Sequence, residues 1–238
     1  MRNQMDIIKL LSKYKHIAFI LYFPIYMRCF IWLEARDDIP FTDIHCFVDD
    51  WIPFAEIFTI PYLLWFVYVA AVLVFLFFQK NHLEDYYRCV VTLILGMSTC
   101  LLIYLIFPNE QNMRPDLATL GHRNLFTDII QFIYDSDTKT NVLPSIHVYN
   151  AVAIHVAFAT SHTFRNRRKW RMASLILCCL ICLSTMFLKQ HSFLDAVTAF
   201  LLYYLYAYLV YLWIPRWRKR RKAGEHEGGR KEQNGRRA

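Results

Sequence analysis

Two residues near the end of the apolar part of the chain have the types and spacing of a nucleophile with its supporting group. His191 and Asp195 are four residues apart, so on a helix they share one face and the carboxylate can accept a hydrogen bond from the imidazole. Such a bond fixes the tautomer and leaves the other ring nitrogen free to attack an electrophile. A pair of this kind also occurs as a plain buried polar contact, so a catalytic interpretation requires further groups beside it.

A second histidine follows a proline and a serine in the segment LPSIHV. Pro144 suits the first position of a helix, because its missing N–H would be unpaired there, which predicts that Ser145 and His147 lie in the first turn. Free backbone N–H groups at that end attract anions. A phosphate bound there and by the Ser145 hydroxyl would leave His147 in place to protonate a leaving oxygen. The alternative is an ordinary helix start with a solvated histidine.

Two cations lie in the neighbouring motifs. Arg114 offers a planar fork of donors that matches phosphate oxygens, and Lys189 offers a point charge on a flexible stem. Cations from separate segments are typical of phosphoryl transfer, which depends mainly on positioning and charge stabilisation. A headgroup contact for Arg114 and a snorkelling Lys189 are the alternatives. A metal site of His147, His191 and Asp195 is chemically possible, but the two cations argue against it.

The segments that carry these residues are predicted to be membrane spans. The 238 residues are 56% hydrophobic and 19% charged, whereas soluble chains carry about 25% charge, and this composition also excludes collagen-like and mostly disordered classes. Six stretches have the length and apolarity to cross a bilayer. We therefore expect an all-α, polytopic membrane protein with a six-transmembrane-helix bundle, whose spans are 16–33, 59–79, 86–107, 144–161, 172–188 and 192–213.

Short interfacial helices are expected on the outer face, in the two long connections. Between the third and fourth spans, apolar residues recur at helical spacing from Leu125 to Ile133, and the connection at 41–62 mixes aspartates with aromatic residues. Both patterns suit the headgroup layer of a membrane. A cap packed over the bundle is the alternative interpretation.

The distribution of charge predicts the topology. Most of the 27 Lys and Arg residues lie before the first span, in the second and fourth connections and in the tail, whereas the first connection is acidic. Because short cytoplasmic loops retain positive charge, both termini are predicted to be cytoplasmic in a multi-pass protein of the cell membrane, with the site residues at the outer face. A membrane catalytic domain at 1–215 and a disordered basic tail at 216–238 follow from this division.

The same distribution bears on partners and cofactors. Positive charge confined to the flanks of apolar segments is a topology signal and argues against a nucleic-acid partner. The seven cysteines have no disulfide or zinc spacing. Membrane lipids are the expected partners, no cofactor is expected, and the oligomeric state is open.

The order of the polar motifs resembles that of a known enzyme family. Arg-Pro at Arg114, then Pro-Ser-x-His at His147, then Ser-x6-His-x3-Asp ending at Asp195 is similar to the three signature motifs of the type 2 phosphatidic acid phosphatase superfamily. The resemblance implies that His191 forms a phosphohistidine, that Asp195 orients it and that His147 is the acid. It further implies that Arg114 and Ser145 bind phosphate and that no metal takes part.

Two positions depart from that family's pattern. A Lys is normal where this chain has Phe107, and an Arg is normal where it has Thr185, so Lys189 is the predicted substitute cation. The segment FLKQHSFLD is similar to the branch with inositol phosphorylceramide synthase-like phosphotransferases.

The resemblance and the residues together give the expected function. We expect an integral membrane phosphatase that hydrolyses a lipid phosphate, a phosphoric monoester or diphosphate, through a phosphohistidine at the outer face. Lipid phosphotransfer to an alcohol at the same site is the first alternative. A non-enzymatic transporter or scaffold is the second, although the polar residues gather at one end of the spans rather than at several depths.

Overall fold

The computed structural model describes the backbone of residues 15–213 and the side chains of residues 21–213. The predicted basic tail at 216–238 and most of the predicted basic residues before the first span lie outside the described residues. Within them the chain is mostly helical, as expected. Its α-helices are α1 (Lys15–Glu34), α2 (Phe47–Trp51), α3 (Thr59–Phe78), α4 (Leu83–Ile106), α5 (Leu125–Ser136), α6 (Ile146–Thr160), α7 (Arg168–Phe187) and α8 (Phe193–Ala207), which a π-helical turn (Tyr208–Trp213) extends.

Four helical segments are long and apolar enough to cross a membrane, which indicates a membrane protein. They are Glu56–Phe78, Lys80–Ile106, Arg168–Phe187 and Phe193–Trp213. The predicted number of six is not confirmed. Helix α6 is apolar but spans only Ile146–Thr160, because Ser145 and Ser161 stand at its two caps. Helix α1 has 20 residues and carries Pro24 in its interior, yet it is not among the four segments.

Helix α6 is the centre of the bundle and contacts α3, α4, α7 and α8. It is buried on several sides because small residues, among them Ala151, Ala153 and Ala157, let neighbouring helices approach closely. Gly96 on α4 gives the closest such approach: a Cβ at this position would lie 1.8 Å from the Tyr149 ring of α6. The Tyr149 hydroxyl donates to the Thr92 carbonyl 2.7 Å away, which holds the ring against α4.

A small set of loops packs over one end of this bundle. Strand β1 (Thr42–Asp43) pairs in parallel with β2 (Asn109–Glu110), which joins the first and third connections. The Asn109 side chain is fully buried, and its oxygen accepts from the backbone N–H groups of Val142 and Leu143, each 2.8 Å away. These bonds fix the chain just before α6 begins, so the loops determine where the Pro-Ser-x-His motif lies.

The predicted helical spacing in the third connection is confirmed by α5. Ile130 and Ile133 on this helix are buried, whereas Leu125 and Phe132 are 72% and 71% exposed. The helix therefore packs one face on the bundle and leaves other apolar residues outward. Its place in the headgroup layer, like that of α2, stays a prediction.

Candidate active site

The start of α6, the end of α7 and the start of α8 meet at the loop-covered end of the bundle. Ser145 is the N-cap of α6: its hydroxyl accepts from the Val148 N–H at 3.3 Å, and its own N–H donates to the Asp195 carbonyl at 3.1 Å. The predicted first-turn position of His147 is confirmed. The placement of Pro144 as first helical residue is wrong, because the Ser145 hydroxyl caps the helix and so moves its first turn to Ile146.

A tight turn between α7 and α8 places His191. The Thr185 carbonyl accepts two backbone N–H groups, from Gln190 at 2.9 Å and from His191 at 3.0 Å. Lys189 reverses the chain in the left-handed region, with φ of 52°. Ser192 then caps α8, and the Asp195 carboxylate accepts from the Ser192 N–H at 2.9 Å. His191 and Asp195 are thereby held close together by the beginning of the helix.

The two histidines and the aspartate form a continuous row of hydrogen bonds. His191 Nδ1 lies 3.2 Å from Asp195 Oδ2, His191 Nε2 lies 3.3 Å from His147 Nδ1, and His147 Nε2 lies 3.2 Å from the Tyr62 hydroxyl. An ionised carboxylate can only accept, which gives His191 Nδ1 the proton and leaves a lone pair on His191 Nε2. His147 Nδ1 then donates to that lone pair, and the Tyr62 hydroxyl donates to His147 Nε2.

Helix α3 supplies two aromatic neighbours that sequence reasoning did not single out. Tyr62 is 3% exposed and bonds to His147, and the Trp65 ring centroid lies 4.6 Å from that of His147. The two aromatics are three residues apart and therefore share a face of α3. The spacing was readable from the sequence, but nothing in it indicated that this face meets α6 at His147.

Arg114 is held by backbone carbonyls of the third connection and by Gln190, the residue before His191. Its guanidinium donates to the carbonyls of Tyr134, Asp137 and Thr138, and to the side-chain oxygen of Gln190 at 2.7 Å. The guanidinium also lies 4.7 Å from the centroid of the Tyr134 ring. Arg114 therefore contacts the histidine motif through Gln190, a buried residue that the sequence did not indicate.

Lys189 and Asp49 connect the first connection to this turn. The Lys189 ammonium donates to the carbonyls of Asp49 at 2.9 Å and Ile52 at 2.5 Å, at the end of α2. The buried Asp49 carboxylate accepts from the Ser192 hydroxyl at 2.6 Å and from the Phe193 N–H at 2.7 Å. Lys189 thus anchors α2, and its predicted role as a substitute phosphate ligand stays a prediction.

Burial and neighbouring charges change the pKa values of the loop residues. Burial raises the pKa of Asp137, and the positive charge of Arg114 opposes that rise. Burial lowers the pKa of Arg114, while Asp137 opposes the fall. Burial raises the pKa of Asp49, but the hydrogen bonds from Ser192 and Phe193 lower it by more, so the pKa is below its ordinary value. Asp137 is therefore a further titratable neighbour of the histidines that the sequence did not indicate.

Several buried donors around the cluster have no acceptor among the described residues. They are Arg114 Nε, Gln190 Nε2 and Trp65 Nε1, and the buried acceptor Asp195 Oδ1 is likewise without a donor. Leaving such groups unpaired costs about 1–3 kcal/mol each. Trp65 packs on His147, Gln190 precedes His191 in the chain, and Arg114 bonds to Gln190, so an anion with several oxygens near the histidines would offer these donors acceptors.

The metal alternative has a separate geometric candidate. In the part of the chain from 21 to 213, Glu84, Asp85 and His162 bring three ligand atoms within 4.8 Å of one another. They lie at the start of α4 and just after α6, at the end of the bundle away from His147. Arg88 forms ion pairs with both carboxylates there, so this cluster already has a cation.

The comparison with protein families decides the assignment. The family model of the PAP2 superfamily matches residues 110–219, a segment that contains all the motifs from Arg114 to Asp195. Residues 110–219 belong to the PAP2 superfamily. The predicted resemblance to the type 2 phosphatidic acid phosphatases is thereby confirmed. Neither the comparison with curated proteins nor that with solved structures found a match.

Membership of the PAP2 superfamily supports a function of the phosphatase or phosphotransferase type. The matched segment runs from the loops that hold Arg114 through α8, and it leaves out α1 to α4. The candidate site therefore also contains residues from outside the matched segment, namely Tyr62, Trp65 and Asp49.

Proposed function

We propose that the protein is an integral membrane phosphatase that hydrolyses a lipid phosphate through a phosphohistidine at His191. The observation that carries this proposal is the row of hydrogen bonds from His147 through His191 to Asp195. Two segments distant in sequence, one with His147 and one with His191 and Asp195, meet in it, and they leave a lone pair on a histidine nitrogen beside a second histidine. That arrangement supplies a nucleophile, its orienting group and an acid in one place.

The first step transfers the phosphoryl group to the protein. His191 Nε2 attacks phosphorus while the bond between phosphorus and the leaving lipid oxygen breaks. Asp195 stabilises the positive charge that develops on the His191 ring through its bond to Nδ1. His147, doubly protonated once the phosphate is bound, donates a proton to the leaving oxygen and becomes neutral, so the lipid alcohol departs neutral.

The second step returns the protein to its starting state. A water molecule gives a proton to His147 as its oxygen attacks phosphorus, and the bond between phosphorus and His191 Nε2 breaks. Inorganic phosphate then leaves, and both rings regain their initial proton content. If an alcohol of a second lipid or a polyol replaces the water, the same step yields a new phosphomonoester, or a new phosphodiester where the donor lipid was itself a diester, which is the phosphotransferase alternative.

Phosphate binding is assigned to Arg114, Ser145 and the residues around them. Arg114 Nε and Gln190 Nε2 are buried donors that lack an acceptor, and Ser145 lies at the N-terminus of α6, where the helix dipole favours an anion. The Lys189 ammonium uses two of its three hydrogens on carbonyls. Its third hydrogen is the one that we assign to a phosphate oxygen, in place of the cations missing at Phe107 and Thr185.

Substrate binding requires the two histidine rings to part. His147 Nδ1 and His191 Nε2 are 3.3 Å apart, which leaves no room for a phosphorus with its oxygens between them. The His147 ring is the more easily displaced of the two, because His191 is held by Asp195 and by the Thr185 carbonyl. We therefore propose that the His147 ring rotates when phosphate enters, and that the anion stabilises the doubly protonated ring.

The proposed site lies at the outer membrane face of the cell membrane. Arg114, His147 and His191 belong to the connections and helix ends that charge counting assigns to the outside. A lipid phosphate in the outer leaflet can present its headgroup there while its acyl or prenyl chain stays among the exposed apolar side chains of the helices. Both termini are then cytoplasmic.

The test compares two His–Asp pairs at the same end of the protein. His191→Ala and Asp195→Asn are each expected to lower phosphate release from a short-chain phosphatidic acid by about a hundredfold or more. The exposed pair of His45 and Asp50, 2.8 Å apart, provides the matched controls His45→Ala and Asp50→Asn, which should retain activity. Asn keeps an acceptor for the Ser192 N–H, so folding is preserved.

Product analysis separates the two reactions. Free phosphate and new phospholipids are measured together with phosphatidic acid, phosphatidylglycerophosphate, prenyl diphosphate and phosphatidylinositol as substrates. Trapping ³²P on the wild-type chain but not on His191→Ala supports the phosphohistidine. Activity near the wild-type level in either site variant would overturn the assigned mechanism.

A further inference from the structure

A cavity of about 280 Å³ opens between α6 and α7, away from the candidate active site. Its charged lining residues, Arg168 and Arg171, lie in the first turn of α7, whereas Thr185, which holds the His191 turn, lies near the other end of that helix. A 20-residue helix is about 30 Å long, so the cavity and the candidate active site lie at opposite ends of the bundle. The lining residues are His155, Ala159, Arg168, Arg171, Met172 and Leu175.

We propose that this cavity binds the phosphate-bearing headgroup of an anionic phospholipid in the leaflet opposite the candidate active site. Arg168 and Arg171 line it with two guanidinium groups, and neither forms an ion pair with any residue in the described part of the chain. One donor of Arg171 is bonded to the Arg165 carbonyl at 3.0 Å, which directs the side chain and leaves its other donors for a ligand. Two planar guanidinium groups in one cavity can donate pairs of hydrogen bonds to the oxygens of a phosphate.

The positive charges around the cavity favour the binding of an anion. The first turn of α7 contains no acidic residue, and its N-cap residue makes no capping bond with its side chain. Arg168, Lys169 and Arg171 thus place three cations at the positive end of a helix dipole, where like charges repel. A bound phosphate would compensate both the guanidinium groups and the free N–H groups of the helix.

His155 adds a directed polar contact deeper in the cavity. Its Nδ1 lies 2.8 Å from the Ser174 hydroxyl, which lies 2.6 Å from the Tyr68 hydroxyl. When Tyr68 donates to Ser174 and Ser174 donates to Nδ1, the proton of the neutral ring is on Nε2. His155 can then donate from Nε2 to a headgroup oxygen, and the buried Ser174 keeps the ring in one orientation.

The apolar part of the lining favours a lipid over a free anion. Met172 and Leu175 are three residues apart on α7 and are 46% and 40% exposed, and Ile176 beside them is 54% exposed. The cavity thus continues onto a helix surface of the kind that acyl chains cover. Basic pockets between helices at the cytoplasmic side are suited to anionic headgroups, and the cytoplasmic leaflet supplies such lipids.

The test measures retained lipid on the purified full-length chain by native mass spectrometry. Phosphatidylserine is the probe, because it is a phosphodiester and the proposed phosphatase does not consume a diester; phosphatidylcholine is the neutral comparison. Arg168→Gln with Arg171→Gln is expected to lower phosphatidylserine occupancy about tenfold or more at about 0.15 M salt. Arg171→Gln alone and Lys169→Gln are the matched single variants, since each removes one positive charge from an exposed residue of the same turn and only Arg171 lines the cavity.

Each outcome decides for or against the site. The proposal is supported if phosphatidylserine occupancy falls selectively in the double Gln variant and less in Arg168→Lys with Arg171→Lys. It also requires that millimolar inorganic phosphate does not displace the lipid. These results would indicate a headgroup site that depends on the planar guanidinium groups. Equal loss in Lys169→Gln and Arg171→Gln would mean diffuse attraction of the membrane surface and overturn the proposal. Equal retention of phosphatidylcholine, or displacement by phosphate alone, would also overturn it. Phosphatase activity is assayed separately, so failure here leaves the active-site proposal intact.

Discussion

At the scale of single residues, Asp195 combines two roles on one oxygen. Its Oδ2 accepts both the Ser192 N–H that begins α8 and the His191 Nδ1 proton, while Oδ1 is buried without a donor. The N-terminus of α8 favours a negative charge at this position. The helix start therefore supports the carboxylate in the form that holds the imidazole, which links the folding of α8 to the orientation of His191, the proposed nucleophile.

The Tyr62 hydroxyl provides a prediction at this scale. Tyr62→Phe leaves His147 Nε2 without its donor and frees the ring to turn, so we expect the rate of phosphate release to fall about tenfold while the melting temperature changes little. Tyr68→Phe on the same helix is the control, because its hydroxyl bonds to Ser174 at 2.6 Å and not to a histidine of the cluster. Equal effects in the two variants would show that Tyr62 acts on packing alone.

Some of these residues were predictable from the sequence and others were not. The pairing of His191 with Asp195 was predicted from helical spacing, but His191 lies before the Ser192 cap and the pair forms across the start of α8; the position of His147 follows from the helix start. Gln190, Asp49 and Asp137 have no periodic or motif signal, because their importance arises from contacts between segments that are remote in the chain. Arg114 was predicted as a cation of the site, but its anchoring by three carbonyls, one at the end of α5 and two just after it, depends on how the third connection folds.

At the scale of elements, the turn between α7 and α8 is the most constrained part of the site. Lys189 has φ of 52°, a conformation that glycine adopts easily and that costs other residues about 1 kcal/mol. Its ammonium compensates by binding the carbonyls at the end of α2, and Asp49 of α2 in turn caps the start of α8. Helix α2, which is only five residues long, is thus fastened to the turn from both sides.

Two substitutions at Lys189 separate its charge from its place in the turn. Lys189→Gly relieves the backbone and should keep the melting temperature closer to the wild type than Lys189→Ala does. Both variants lack the ammonium, and we expect both to lower kcat/KM about tenfold or more if it contacts phosphate. Lys80→Ala, at the other end of the bundle, should leave kcat/KM unchanged. Full activity in Lys189→Gly would limit Lys189 to anchoring α2.

At the scale of the whole molecule, charge and hydropathy predicted the helical membrane fold, and the predicted number of six spans is not confirmed. The prediction of helices at all six apolar segments is consistent with α1, α3, α4, α6, α7 and α8, and among the described residues four segments have the length and apolarity of a span. Helix α6 is short because its start is set by the Ser145 cap, inside the group of loops that forms the site. The Ser145 cap therefore shortens the central helix, an effect that hydropathy along the sequence does not detect.

The orientation of the bundle gives the last prediction. Charge counting places Lys80 in the cytoplasm and Arg123 outside, and the Arg123 side chain is 84% exposed. In a Cys46→Ser background, Arg123→Cys should react with a membrane-impermeant maleimide on intact cells, whereas Lys80→Cys should react only after the membrane is opened. The same two positions lie at opposite ends of the bundle, so labelling also assigns the sides of the histidine row and of the Arg168–Arg171 cavity. The reverse pattern would move the histidine row to the cytoplasmic leaflet and leave the chemistry proposed for it unchanged, because that chemistry depends on the contacts among the residues and not on the compartment they face.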